Sequence, residues 1–151
     1  AHTVQAELNR ALETLLRHPV DTLGSGRTDT GVHATQQFVH FDTEADLHPA
    51  LFLHSLNALL PPDVSANALL SVPGTAHARF DAISRSYRYL ICHHKNPFRY
   101  KMCYRYSVKP DVAQMNKAAR VLLRYEDFEC FSKVKTDVNH FRCTVTEAVW
   151  A

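Results

Sequence analysis

The stretch GSGRTDTGVHA, Gly24 to Ala34, holds three of the chain's four glycines, Gly24, Gly26 and Gly31, within eight positions. Arg27, Thr28, Asp29 and Thr30 stand between them, and His33 lies just beyond. Glycine permits backbone angles and close approaches that other residues do not. A chain this poor in glycine that gathers it around one carboxylate is expected to form an unusual loop there, one that presents Asp29 to a ligand. The flanking residues predict the base of that loop. Val20 to Leu23 reads as a short strand leading in, and Ala34 to Asp42 alternates as a strand leading out, with Val39 and Phe41 on one face and Phe38 on the other. A loop joining two strands holds its side chains on a rigid support.

Outward from the loop, helical and strand patterns alternate. Thr3 to Arg17 repeats Val4, Leu8, Ala11, Leu12 and Leu15 with helical period, and Pro19 follows its end. Pro49 to Leu60 predicts a second helix, entered through a proline and stopped before Pro61-Pro62. Asn67 to Val72 predicts a strand, and Pro73-Gly74-Thr75 a break. Ala82 to His93 predicts a long strand with Arg85, Tyr87, Tyr89 and Ile91 on one face and Ser86, Arg88, Leu90 and Cys92 on the other. A loop around Pro97 leads to a return strand, Met102 to Val108. Pro110 to Arg124 predicts a third helix with Val112, Met115, Ala119 and Leu122 as its buried stripe. Glu126 to Lys135 is a turn and loop, and Phe141 to Val149 a closing strand. This order predicts an α+β fold, a largely antiparallel sheet with helices on one face.

At 151 residues the chain can bury one good core or two small ones. No apolar run approaches the ~18 residues of a membrane span. The polar, periodic opening AHTVQAELNRALETLL is not a secretory signal, so a cytoplasmic location is expected. Cys92, Cys103, Cys130 and Cys143 are widely and irregularly spaced, without C-x-x-C, which predicts reduced, partly buried thiols. Ten histidines fall into no metal-ligand spacing, so no metal is expected. The net charge is only +2, but it is unevenly placed. Between Arg79 and Lys109 lie eight of the seventeen Lys and Arg, one acid (Asp81) and seven of the fifteen aromatics. Cations for phosphates, interleaved with rings that stack on bases, suit a nucleic-acid surface. Solvated charges along an amphipathic strand would give the same pattern.

Several chemistries compete for the glycine loop. The phosphate-binding pattern G-x-x-x-x-G-K-[ST] lacks its lysine here, and the dinucleotide pattern lacks its third glycine and its helix. Asp29-Thr30-Gly31 spells the D-T-G of an aspartic protease, whose two carboxylates share a proton across a dimer. However, the triplet follows Gly-Ser-Gly-Arg-Thr rather than an apolar strand. A nucleobase deaminase needs H-x-E and P-C-x-x-C, and both are absent. A tight polar turn in which Asp29 pairs with Arg27 is the structural alternative.

Residues 24–41, GSGRTDTGVHATQQFVHF, closely resemble the signature G-[AS]-G-R-T-D-x-G-V-H-A-x-x-Q of the tRNA pseudouridine synthase A (TruA) family. LNALLPPDV, HARFDAISRSYRYLI and DFECFSK resemble further family motifs in the same order. The resemblance implies two small pseudouridine-synthase subdomains of ferredoxin-like (RRM-like) type around a cleft, here residues 1–75 with the catalytic loop and part of a second in 76–151. It implies isomerisation of uridine to pseudouridine in the anticodon stem-loop of tRNA, at positions 38–40, by a homodimer without cofactor or metal. Asp29 aligns with the family's essential aspartate, Arg27 with an active-site arginine and Tyr87 with a tyrosine beside the aspartate. Thr28 and His33 share the motif, and Arg79, Arg85, Arg88 and Arg99 become candidates for the tRNA backbone. A non-catalytic RNA-binding α+β module, with Asp29 structural, is the second reading.

These residue types suit the reaction. The N1–C1′ bond breaks, the uracil turns and C5 bonds to C1′, so the base is flipped out of its helix into a pocket. Arg27 can fill the gap or hold a flanking phosphate. The Asp29 carboxylate can bond to sugar or base, or remove a sugar proton to give a glycal. Tyr87 can stack on the uracil or relay a proton. Against the family pattern, the chain opens after the usual first strand and closes before a helix whose arginine pairs with the aspartate. A fragment of about the middle three-fifths, with open sheet edges and little activity of its own, is therefore expected. Leu59 and Cys130 also depart from the pattern, away from the chemistry.

Overall fold

A computed structural model of the chain describes residues 2–132 and 140–151. The last residue of DFECFSK and the end of the expected loop up to Lys135 lie outside them. The chain separates into two compact units, residues 1–88 and 89–151. Residues 76–88, with the HARF motif, thus belong to the unit that carries the glycine loop.

The first unit is built on two helices. Helix α1 (Val4–Leu16) starts where the Thr3 hydroxyl accepts the Ala6 N–H at 3.1 Å and ends at Arg17, whose left-handed φ of 61° turns the chain out. Helix α2 (Pro49–Leu59) begins with proline in its first turn, where a missing N–H costs nothing. Ala11 and Leu12 of α1 meet Leu56 and Leu60 over Val20, with Leu8, Leu15, Phe41 and Phe52 packed around them. Val4, expected in this stripe, is 64 % exposed because the first turn projects beyond the core. Strands β1 (Leu23–Gly24) and β2 (Val39–His40) form an antiparallel pair at the edge of this core, Leu23 opposite His40.

In the second unit, strands β3 (Ile91–Cys92) and β4 (Tyr104–Arg105) pair, and helix α3 (Val112–Leu122) follows, capped by Asp111 accepting the Gln114 N–H at 3.1 Å. Ala119 is buried, Met115 and Leu122 are half-buried, and Val112 is exposed. Asp127 and Arg142 make an antiparallel bridge.

The fold is α+β, with three helices and two small sheets among the described residues. Its strands are much shorter than the alternation predicts. Residues 67–72 form none, and of 82–93 only Ile91–Cys92 pairs. Alternation marks which side of an extended segment is apolar; a strand also needs a neighbour to complete its N–H and C=O ladder. The β3–β4 pair is parallel rather than a hairpin return, because a short 3-10 turn at Pro97–Arg99 and a left-handed Lys101 loop the chain back beside its own start. That loop corrects the expectation of reduced thiols. Cys103, next to β4, comes within 6.1 Å Cα to Cα of Cys92 on β3, and the two are joined by a disulfide. Cys130 and Cys143 are free but exposed, not partly buried. No helix among the described residues is long and apolar enough to cross a membrane.

Candidate active site

The glycine loop rises from the β1–β2 pair and is closed at its neck by three contacts. Ser25 donates its N–H to the Phe38 carbonyl at 2.8 Å, extending the strand pairing by a residue. The Gln37 amide donates to the Gly26 carbonyl at 2.7 Å. The third contact comes from sixty residues away: Arg85 donates to the Ser25 carbonyl through Nε at 3.2 Å and Nη2 at 2.6 Å.

Beneath the neck, helix α1 fixes the incoming chain. Thr22 is buried, its carbonyl accepting from Gln5 and its hydroxyl donating to Asn9. Gln5 and Asn9 are one helical turn apart, so one polar stripe of α1 satisfies both groups of the residue that leads into β1.

Above the neck, Arg27, Thr28, Asp29 and His33 are all exposed on the loop. The turn after Asp29 is tight: Val32 donates its N–H to the Asp29 carbonyl at 3.2 Å, and Gly31 sits at φ +86°. Only Gly31 needs glycine's freedom. Gly24 and Gly26 do not adopt a positive φ, and a Cβ on either would make only ordinary contacts at 3.5 Å.

The HARF segment folds into a compact turn beside the neck. The His77 carbonyl accepts from Phe80 and Asp81, and the Asp81 carboxylate accepts the His77 N–H at 2.7 Å. His40, ending β2, accepts the Ala78 N–H on Nδ1 at 3.1 Å, and its ring lies 4.9 Å from that of His77. The Arg79 guanidinium stands 5.9 Å over the exposed Phe80 ring, a cation–aromatic pair open to solvent. The Arg79 carbonyl accepts from Arg85 Nη2 at 3.0 Å. Arg85 therefore joins the loop neck to the HARF turn.

Tyr87 and Arg88 follow on extended chain, Tyr87 with 77 % of its surface exposed. No hydrogen bond among the described residues ties either to the loop. Arg99 is likewise exposed, in the second unit. The structure thus brings Arg79 and Arg85 to the loop neck and leaves Tyr87, Arg88 and Arg99 presented to solvent. Residues not singled out in the sequence, Gln37, His40, Asn9 and Thr22, complete the support. Gln37 alone had a signal, as the last residue of the loop signature. A surface depression lined by Leu16, His18, Asp42, Thr43, Glu44 and Ala45 includes none of the loop, and its acids suit RNA poorly. Among the described residues no cluster of His, Cys, Asp and Glu could hold a metal ion.

The described residues thus present a carboxylate loop braced by a basic, aromatic turn on an α+β framework. No protein-family model matches the chain. Curated relatives do: it is 43 % identical over 149 residues to a protein of Parabacteroides distasonis, covering 98 % of this chain and 59 % of that one. It is 45 % identical over 148 residues to one of Bacteroides thetaiotaomicron, covering 98 % and 55 %, and 39 % identical over 153 residues to one of Bacillus licheniformis, covering 99 % and 62 %. All three are named tRNA pseudouridine synthase A. The chain is thus similar over nearly all of its own length to proteins named tRNA pseudouridine synthase A, and it spans about three-fifths of theirs.

Proposed function

We propose that this chain carries the catalytic loop of an enzyme that isomerises uridine to pseudouridine in tRNA, with Asp29 as the reacting carboxylate. The reading rests chiefly on Asp29 itself: a carboxylate raised on a glycine-bent loop, over a neck held from three directions. Such a mount limits the loss of orientation when a substrate arrives.

In this reading the target nucleotide flips out, and Arg27 takes the vacated space or a flanking phosphate. Asp29 either bonds to the sugar or base, a bond that breaks again before the product leaves, or removes a sugar proton that it returns once C5 has bonded to C1′. The N1–C1′ bond breaks, the uracil rotates and C5 bonds to C1′. C5 then loses its proton and N1 gains one, so the product is an isomer of the substrate. Tyr87 stacks on the uracil or passes a proton, and Thr28 and His33 line the loop around it. The Arg79–Phe80 pair and Arg88 meet backbone and bases beside the flipped nucleotide, and Arg99 is a further candidate for the RNA backbone.

Three finer points follow from the family resemblance: a target in the anticodon stem-loop at positions 38–40, action as a homodimer, and a cytoplasmic setting. Carbodiimide mapping of tRNA incubated with the full-length protein tests the reading. Pseudouridine-specific stops in the anticodon stem-loop are expected. Stops elsewhere would move the target, and tRNA binding without any stop would support the non-catalytic RNA-binding module instead.

A further inference from the structure

The Arg85 guanidinium is turned onto the protein's own backbone. Three of its five N–H groups point at protein carbonyls: Nε–H and one Nη2–H at Ser25, the second Nη2–H at Arg79. The Ser25 carbonyl lies two residues before Arg27 and four before Asp29. The Arg79 carbonyl lies within the HARF turn, which His40 ties to β2. One planar fork thus spans the loop neck and the HARF turn, and one whole edge of it is engaged.

We infer that Arg85 is a positioning residue for the Asp29 loop rather than a contact to the RNA backbone. It sets the height and direction of the loop by holding the Ser25 carbonyl against the HARF turn. This inference rests on the proposed isomerase activity for its kinetic consequence, but the bracing itself does not. Methionine keeps the length of the stem but removes the charge and every donor together.

Arg85→Met in the full-length protein separates the roles. Positioning predicts a tenfold or greater fall in kcat on tRNA, with the tRNA Kd within twofold of the parent and an unchanged salt dependence. Amide hydrogen exchange in residues 25–32 becomes faster. Arg85→Ala, carrying the same kcat loss, is partly restored by added ethylguanidinium. The inference is overturned if Arg85→Ala instead weakens tRNA binding with kcat intact and lowers the salt slope by about one, the mark of a lost phosphate contact. It is also overturned if both variants match the parent in kcat and Kd. Should the parent prove inactive, the isomerase reading falls while the exchange arm still decides: unchanged protection of residues 25–32 in both variants refutes the brace, and faster exchange sustains it.

Discussion

His40 at the end of β2 accepts the backbone N–H of Ala78 on Nδ1, a contact across thirty-eight residues of sequence that pins the HARF turn to the hairpin carrying Asp29. The loop and the turn are therefore one assembly, although neither packs into the apolar core between α1 and α2. Polar contacts of this kind, not burial, hold the site together.

Replacing His40 by alanine removes the acceptor and leaves a partly buried N–H unpaired. The expected cost is about 1–2 kcal/mol of stability in the first unit, read as a lowered urea midpoint. Replacement of the exposed His54, which supports no such contact, is expected to stay within about 0.5 kcal/mol.

Gly31→Ala is expected to cost about 1–2 kcal/mol through backbone strain alone, since φ is +86° and no atom lies within 4 Å of the added Cβ. Gly26→Ala, whose Cβ meets Arg85 at an ordinary 3.5 Å, is expected to be milder. Equal losses for the two in urea denaturation would contradict the assigned turn geometry.

Two asparagines clamp extended chain onto helices in the same way. Asn57 donates to the Ala66 carbonyl and accepts its N–H, both at 2.8 Å; Asn116 does so with Trp150, both at 2.9 Å. Each mimics a β-bridge. Alanine at either position is expected to cost about 1 kcal/mol, Asn57 in the first unit and Asn116 in the second. Hydrogen exchange at Ala66 and Trp150 reports each loss locally.

The Cys92–Cys103 bond predicts a thiol count. Under oxidising conditions alkylation is expected to label Cys130 and Cys143 but spare the bonded pair. After reduction all four are expected to react. Labelling of Cys92 before reduction would show the β3–β4 loop unlinked.

The helices were legible because period and punctuation agreed: Pro19 after α1, Pro49 and Pro61-Pro62 around α2, and an apolar stripe from Val112 to Leu122 along α3. The strands were overdrawn because residues such as Arg85 to Tyr89 alternate without a ladder partner among the described residues, and alternation says nothing about partners. The loop was legible as glycine around a carboxylate, yet glycine count overstated the need: only Gly31 uses a left-handed backbone. Arg85 looked like any solvated basic residue on a strand, and its carbonyl partners are set by tertiary approach. His40, Asn9 and Thr22 were silent for the same reason. The disulfide was hidden by a spacing of eleven that no short motif encodes.

The central claim, that Asp29 performs the isomerisation, is tested most directly by tritium release from tRNA labelled at uridine C5, using the full-length protein and its Asp29→Asn variant. The account predicts release by the parent, none by the variant, and tRNA binding by both. Release by the variant at the parent's rate, or binding by both with release by neither, would contradict it.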